Sequence, residues 1–230
     1  MTRTLLAPAP LTTGELILDD DEAHHGLRVL RVKAGERLRL ADGAGNSAEA
    51  EVVEASKRLV LRVGPVAIAP AERCADLCVA VAPPKGDRWT DLVRSLTELG
   101  VGAILPLRCA RGEREPANLD RARRVASEAL KQSRRGWLPR LGPAVGIPGL
   151  AVGGSRLIVG DPAGGPPRPG RPRPTTLVIG PEGGLTADEL AVLDAAGAER
   201  VRLAGPVLRI ETAALAATAV WASAWEHEAP

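Results

Sequence analysis

The sequence predicts a two-domain protein in which a small β-barrel is followed by an α/β layer domain. Short segments that alternate apolar and polar residues fill positions 1–63, as in strands with one buried face. Beyond residue 74, strand-like runs alternate with helix-like runs, which indicates an α/β layer fold. The chain has 230 residues, 45% hydrophobic, and is long enough to bury a core. We therefore expect domains at 1–70 and 74–230.

Four segments of the first domain are predicted strands, and Asp42-Gly43 marks a turn between two of them. The strands are expected at 14–18, 36–41, 48–53 and 58–63. A short helix is expected at 21–31. Residues 64–71 contain two prolines and are predicted to form a linker.

In the second domain, strands are predicted at 77–82, 103–107, 156–159, 176–179 and 200–203. Helices are predicted at 88–99, 119–133, 187–195 and 212–225. Residues 163–174 are rich in proline, glycine and arginine, which favours a flexible surface loop over a basic arm that touches RNA. The last helix has no charge from Thr212 to Trp225, so either the core or a partner subunit must cover it. We favour a homodimer through this helix.

The charges are distributed unevenly although the net charge is only +2. Residues 108–140 hold ten Lys/Arg against four Asp/Glu, and 26 of the 30 basic residues are arginine. Arginine suits phosphate and base recognition, but an arginine-rich coding bias explains the same count. Phe and Tyr are absent, so an aromatic stacking platform for nucleic acid would depend on the four tryptophans.

Several classes of protein and site are disfavoured. The three cysteines lack metal-ligand spacing and predict a reduced, cytoplasmic protein. No apolar stretch reaches the length of a membrane span. No lysine follows a glycine in a phosphate-binding loop, no G-x-G-x-x-G opens a helix, and the three histidines have no zinc-site spacing.

The stretch IGPEGGLTADEL (179–190) joins a predicted strand to a predicted helix through two adjacent glycines. A phosphate-binding turn aims backbone N–H groups at the anion, yet Pro181 lacks that donor and Glu182 adds a negative charge. A ligand with an adenosine, no phosphate and a cationic centre fits both features, and S-adenosyl-L-methionine is such a molecule. Taken alone, the pattern fits a tight structural turn better.

A second junction of strand, turn and helix lies at 203–214 and reads LAGPVLRIETAA. Two turns at strand ends can face each other across one pocket at the carboxyl edge of a sheet. Arg209 and Glu211 lie where this turn meets the apolar helix. Such a charged pair suggests function, with a structural salt bridge as the alternative.

Together these stretches carry a family resemblance. IGPEGGLTADEL followed by LAGPVLRIETAALAATA is similar to the paired signature of the small-subunit ribosomal RNA uracil-N3 methyltransferases, which belong to the SPOUT class. The resemblance extends to residues 24–43, 84–101 and 128–141, and so to most of the chain. It implies a PUA-like β-barrel that binds RNA and a trefoil-knotted α/β domain with a mainly parallel sheet.

The resemblance also implies S-adenosyl-L-methionine as the cofactor, 16S rRNA in the 30S subunit as the substrate, and a homodimer. Cofactor contacts are expected from the glycine turns and their flanking residues: Gly160, Ile179, Gly180, Glu182, Gly183, Gly184, Leu203, Gly205, Pro206 and Leu208. The candidate RNA contacts are polar or basic side chains: Arg28, Arg31, Lys85, Arg88, Gln132 and Arg135.

At several positions the chain departs from the family pattern. Pro206 replaces an arginine, which leaves one expected RNA or cofactor contact without its side chain. Leu185 replaces a phenylalanine. Lys131 stands where a glutamate is usual, and Arg134 stands where a glycine is usual.

Methylation at uracil N3 requires removal of a proton, so a base and a group that stabilises the anion are expected. Glu211 is our candidate base and Arg209 our candidate stabiliser; alternatively, Glu211 only holds Arg209 in place. Two other functions remain open. One is a SPOUT methyltransferase acting on a different nucleotide of rRNA or tRNA. The other is a ribosome-assembly factor that binds RNA without catalysis.

Overall fold

The computed structural model describes residues 3–18, 21–112 and 118–227. The chain forms two compact units, Met1–Ala71 with Ser127–Leu138 (unit 1) and Glu72–Ala126 with Pro139–Pro230 (unit 2). This division differs from the expected one at Ser127–Leu138, which we had placed in the second domain and which packs with unit 1.

Unit 1 is a six-stranded, mainly antiparallel sheet in the order β1-β3-β4-β5-β2, with β6 paired to β4. Only β1 and β3 pair in parallel. The strands are β1 (Thr4–Leu6), β2 (Gly14–Leu18), β3 (Arg37–Ala41), β4 (Asn46–Ala55), β5 (Leu59–Val63) and β6 (Ala67–Ile68). The predicted helix at 21–31 is present as α1 (Asp21–His24) followed by a π-helical turn, His25–Val29. The predicted linker contains β6, which is too short to show an alternating pattern.

A buried carboxylate organises the turn between β3 and β4. Asp42 is 6% exposed and accepts hydrogen bonds from the backbone N–H groups of Leu11, Ala44 and Asn46 and from the Asn46 amide, at 2.6–3.1 Å. Burial alone raises the pKa of Asp42, but these hydrogen bonds outweigh it and hold that pKa below its ordinary value. The turn therefore depends on an ionised carboxyl group.

The segment Ser127–Leu138 belongs to unit 1 because its end packs directly on this turn. Gly45 donates its N–H to the carbonyl of Gly136 at 2.9 Å, and Leu138 donates to Gly43 at 2.8 Å. A Cβ on Gly45 would lie 2.2 Å from the ring of Trp137, so only glycine allows this approach. Nothing local in the sequence signals this pairing across about ninety positions.

Unit 2 contains a seven-stranded sheet in the order β10-β8-β7-β12-β11-β13, with β9 paired to β8. All of its pairings are parallel. Its strands are β7 (Leu77–Val81), β8 (Ala103–Arg108), β9 (Arg140–Leu141), β10 (Val145–Gly146), β11 (Arg156–Gly165), β12 (Thr175–Ile179) and β13 (Glu199–Val201). Strand β12 is buried along its whole length, as expected of a central parallel strand.

Five α-helices follow α1 in the described part of the chain: α2 (Arg88–Glu98), α3 (Leu119–Ser133), α4 (Ile147–Ala151), α5 (Ala187–Ala195) and α6 (Ile210–Glu226). Helix α2 buries Trp89, Leu92, Val93 and Leu96 on one face, and α6 packs against α2, β7 and β12. The division between the units falls within α3, at Ser127. Within the described ranges, no helix is long and apolar enough to cross a membrane.

The proline-rich segment 163–174, which we expected to form a flexible surface loop, begins within a strand and has hydrogen bonds to its carbonyls. Its first three residues extend β11, and the Arg156 guanidinium donates hydrogen bonds to the carbonyls of Arg168 and Pro169. The indole of Trp225 donates to the carbonyl of Gly170 at 3.0 Å. These donors satisfy backbone carbonyls that the prolines leave outside a regular sheet.

The described residues of this chain cover only one side of the apolar helix α6. Ala214, Ala217, Trp221 and Trp225 are buried, whereas Thr212, Ala219, Val220 and Ser223 are exposed. The expectation that α6 is buried on every side therefore does not hold within the single chain. From Thr212 to Ser223 the exposed face is uncharged and made of small side chains.

Candidate active site

A cavity of about 190 Å³ lies at the carboxyl ends of β12 and β13 and beside the middle of β11. The turns that follow β12 and β13 both line it, and the middle of β11 lines it as well. The two turns follow β12 and β13, which are successive strands along the chain. These strands are not neighbours in the sheet, because β11 lies between them. Eight of the ten predicted cofactor residues line this cavity: Gly160, Ile179, Gly180, Glu182, Gly184, Leu203, Pro206 and Leu208.

The turn after β12 is a tight one that begins helix α5. Gly184 donates its N–H to the carbonyl of Pro181 at 2.8 Å and has φ +68°, a conformation that favours glycine. Thr186 and Glu189 then form the capping box expected from the sequence. Their reciprocal hydrogen bonds fix the start of α5 and with it the end of the turn.

The segment after β8 braces this turn from outside the cavity. The Arg111 guanidinium donates to the carbonyl of Gly183 at 2.7 Å. The N–H of Ala110 donates to the Glu189 carboxylate, also at 2.7 Å. Gly183, a predicted cofactor residue, thus does not line the cavity but turns its carbonyl towards Arg111.

The turn after β13 forms the opposite wall. Leu203, Pro206 and Leu208 line the cavity, as does Val207, whose side chain is 82% exposed. Gly205 lies outside the lining, and a Cβ built there would meet no atom within 4 Å. Nothing within the described chain therefore requires glycine at this position.

The third contribution comes from β11, where sequence reasoning identified only Gly160. Asp161 also lines the cavity and forms an ion pair with Arg200 at 3.3 Å, while its other oxygen accepts the N–H of Ala163. The available signal was an acidic residue directly after Gly160. The prediction missed Asp161 because it ended this strand at residue 159, whereas β11 continues to Gly165.

The predicted catalytic pair is arranged differently from our expectation. Glu211, in the first turn of α6, forms an ion pair with Arg88 at 3.1 Å and not with Arg209. The side chain of Glu211 is 19% exposed, and its Oε2 is buried without a hydrogen-bond partner among the described residues. Arg209, the residue before α6, is exposed and has no ion pair within the part of the chain that the structure describes.

The Arg88 guanidinium also lies 4.0 Å from Glu182, so it connects the base candidate with the cavity wall. The sequence predicted Arg88 as an RNA contact because nothing local shows that α2 and α6 meet. A cluster of Arg88, Glu182 and Glu211, which we call the charged triad, thus borders the cavity. It carries one more negative charge than positive.

The candidate RNA residues are divided between the two units. Arg28, Arg31 and Gln132 are exposed in unit 1, and Lys85 is exposed in unit 2. Arg135 is buried at 9% exposure, which makes it a poor surface contact. The six residues therefore do not form one continuous patch within either unit.

The positions that depart from the family pattern have structural counterparts. Leu185 lines the cavity and packs where a Cβ on Gly180 would meet it at 3.1 Å. Lys131 is buried between Glu22 at 3.0 Å and Glu128 at 2.7 Å. Arg134 follows α3 with φ +59°, which explains why glycine suits this position.

The lining of the cavity fits a cationic adenosine compound better than a nucleotide phosphate. Ile179, Leu185 and Leu203 supply apolar surface for a flat base. Pro181 offers no N–H donor, and Glu182 adds a carboxylate at the turn where a phosphate would need donors. Among the described residues there is no group of three His, Cys, Asp or Glu that could hold a metal ion.

Comparison with known proteins agrees with this geometry. The family profile described as RNA methyltransferase domain matches residues 71–222, and the profile described as RNA methyltransferase PUA domain matches residues 18–63. A structure of ribosomal RNA small subunit methyltransferase E from Neisseria gonorrhoeae bound to S-adenosyl methionine has 28% identity and a TM-score of 0.88, and the match covers 98% of each chain. A Legionella pneumophila protein solved with bound SAM has 26% identity and a TM-score of 0.89, again over 98% of each chain.

The fold therefore defines an RNA methyltransferase of the SPOUT class, with a knotted α/β domain preceded by a PUA-like domain. Ribosomal RNA small subunit methyltransferase E of Mycobacterium bovis is 33% identical over 245 residues, which is 96% of this chain and 92% of that relative. The Bacillus subtilis protein of the same name is 28% identical, over 91% of this chain and 88% of its own length. The chain belongs to the ribosomal RNA small subunit methyltransferase E family.

Proposed function

We propose that this protein methylates N3 of a uridine in 16S rRNA of the small ribosomal subunit, with S-adenosyl-L-methionine as the methyl donor. The observation that carries the proposal is the Glu211 carboxylate, which has one buried oxygen without a partner among the described residues and borders a cavity suited to a cationic adenosine. Relatives named as small-subunit rRNA methyltransferases support the choice of substrate.

The cofactor is held by the two turns and the strand-end glycine in this proposal. Gly160, Gly180 and Gly184 let the backbone approach it, while Leu203 and Leu208 cover its base. When bound, S-adenosyl-L-methionine supplies an electrophilic methyl group on a positively charged sulfur. Glu182 contributes a negative charge at the cavity wall, which favours a cation.

The chemistry at the substrate requires loss of the N3 proton. If N3 titrates about two units above neutral pH, forming the anion costs about 3 kcal/mol. Glu211 accepts this proton at Oε2, the oxygen that Arg88 leaves unpaired. The N3 lone pair is then available, and the first turn of α6 and Arg209 stabilise the negative charge that develops on the uracil oxygens.

RNA is held by basic and polar side chains of both units in this proposal. Arg28, Arg31 and Gln132 on the PUA-like unit and Lys85 on unit 2 are exposed and available to phosphates or bases. Arg135 is buried, so it lies beneath these exposed side chains. We also infer a cytoplasmic location, in line with three cysteines that form no disulfide among the described residues.

A homodimer forms through α6 in this proposal. The exposed face of α6 carries Thr212, Ala219, Val220 and Ser223, whose small uncharged side chains allow a second helix to approach closely. A Val220→Glu substitution places a charge on this face and should convert the dimer to a monomer in sedimentation measurements. A wild-type protein that sediments as a monomer at all concentrations would exclude the dimer.

Two measurements test the function. Calorimetry should show binding of S-adenosyl-L-methionine but not of ATP, because ATP brings phosphates to a turn that lacks donors. Incubation with small subunits or 16S rRNA from cells lacking the enzyme, followed by mass spectrometry of nucleosides, should show 3-methyluridine. Cofactor binding with a different methylated nucleoside would indicate another target, and no cofactor uptake would indicate an RNA-binding factor without catalysis.

A further inference from the structure

The position of Arg88 has a role that neither the sequence nor the family comparison assigns. Arg88 is the first residue of α2, and its Nε donates to the carbonyl of Lys85 at 3.4 Å. The same guanidinium lies 3.1 Å from Oε1 of Glu211 and 4.0 Å from Oε1 of Glu182. One side chain therefore contacts the start of α2, the start of α6 and the turn after β12.

The contact with Glu211 is selective for one oxygen of that carboxylate. Arg88 engages Oε1, while Oε2 is buried without a hydrogen-bond partner among the described residues. A buried carboxylate oxygen normally accepts a hydrogen bond, and leaving it unpaired costs free energy. An unpaired carboxylate oxygen has the capacity to accept a proton, and because Oε2 is buried, neighbouring side chains must move before a ligand reaches it.

We propose that Arg88 is a positioning residue, which holds Glu211 by Oε1 so that Oε2 keeps no hydrogen bond within the chain and can accept the N3 proton of the target uracil. This inference rests on the proposed function and deepens it. The second contact of Arg88, with Glu182, connects the orientation of the base to the turn that lines the cofactor cavity. Arg88 touches neither uracil nor cofactor and acts through Glu211.

The charge of the triad argues against the alternative that Arg88 binds an RNA phosphate. Two carboxylates surround one guanidinium, so the site repels an anion. A phosphate would have to displace Glu211 from Arg88 and would leave its partly buried carboxylate without a counter-ion.

The experiment compares Arg88→Met and Arg88→Lys with Arg94→Met, a control on the same helix. Arg94 is 47% exposed and pairs only with Asp91 among the described residues, away from the cavity. Each variant is tested for thermal stability, cofactor binding by calorimetry, RNA binding over a salt series, and single-turnover methyl transfer. Wild type provides the reference for all four measurements.

For Arg88→Met we expect the single-turnover rate to fall about 10²-fold, the loss typical of a misplaced catalytic group. Cofactor affinity, RNA affinity and the salt slope of RNA binding should stay within twofold of wild type. Arg88→Lys should recover part of the rate, because an ammonium group can still pair with Glu211. Guanidinium ion added to an Arg88→Gly variant should also raise its rate, which a purely structural defect would not allow.

Two results would overturn the inference while the proposed function stands. One is an Arg88→Met enzyme with an unchanged rate at saturating RNA and a salt slope reduced by about 0.7–0.9, which is the effect of one lost phosphate contact. The other is a loss of cofactor affinity that accounts for the whole loss of rate. A wild-type enzyme that neither binds the cofactor nor forms 3-methyluridine would instead remove the proposed function.

Discussion

Replacing Arg134 with glycine should stabilise the protein. Arg134 follows the last residue of α3 and has φ +59°, a left-handed conformation that costs an L-residue about 1–2 kcal/mol. The side chain is exposed, so the substitution removes little packing. After allowing for the greater freedom of glycine in the unfolded chain, we expect a net gain of about 1 kcal/mol.

A second effect acts in the same direction. Burial chiefly, and also the charge of Arg134, lowers the pKa of Arg39, and the Nη1 of Arg39 is buried without a hydrogen-bond partner among the described residues. Removing the positive charge of Arg134 should therefore relieve some repulsion. An Arg134→Ala variant separates the two effects, because alanine removes the charge but keeps the backbone cost.

The assay is thermal unfolding at low and high salt, monitored by circular dichroism. Arg134→Gly should raise the midpoint by about 2–4 °C. Arg134→Ala should give a smaller rise that shrinks as salt screens the repulsion. A glycine variant that is no more stable than the alanine variant would show that the left-handed backbone carries no cost here and would refute the reasoning.

Three further predictions concern the turns and the cavity. Gly160→Ala places a Cβ 3.0 Å from Ile179 and should weaken cofactor binding in calorimetry at least several-fold with little loss of stability; unchanged affinity would exclude close approach at this wall. Arg111→Met removes the donor to Gly183 and should raise the KM for the cofactor more than it lowers kcat, whereas the reverse split would contradict a bracing role. Asp42→Asn should cost about 2–3 kcal/mol at pH 7. Since the pKa of Asp42 is depressed in the folded protein, its contribution to the free energy of unfolding is present above about pH 4 and is lost as pH falls through the folded pKa. In urea titrations the stability of the variant should therefore fall less steeply than that of wild type as the pH is lowered. An equally steep fall would contradict this.

Some helices could be predicted from local sequence signals alone. Helix α5 was predicted with its observed bounds, because Thr186 and Glu189 form a capping box that marks its start. Helix α3 was also predicted at 119–133, where a regular apolar spacing continues to its end. The short strands β1, β6, β9 and β10 were missed, since an alternating pattern needs more positions to be visible.

Most contacts between residues far apart in the chain could not be predicted from the sequence. The exception is the pocket shared by the turns after β12 and β13, which was expected because parallel strands bring their carboxyl ends to one edge of the sheet. The pairing of Arg88 with Glu211 joins residues more than a hundred positions apart and leaves no local pattern. The packing of Trp137 on Gly45 was missed for the same reason.

The exposed face of α6 shows how far composition alone can lead. The absence of charge from Thr212 to Trp225 indicated a buried helix, and its inner face does bury Trp221 and Trp225 completely. Composition could not distinguish the inner face from the outer one, since both carry alanine and threonine. Only the packing against α2, β7 and β12 separates them.

Single-turnover methyl transfer by a Glu211→Gln enzyme tests the central chemistry most directly. Glutamine keeps the size of the side chain but cannot accept the N3 proton at neutral pH. The rate should fall by about 10²–10⁴-fold, the usual contribution of a general base, with cofactor and RNA affinities unchanged. A glutamine variant that transfers methyl groups at the wild-type rate would show that another group removes the proton.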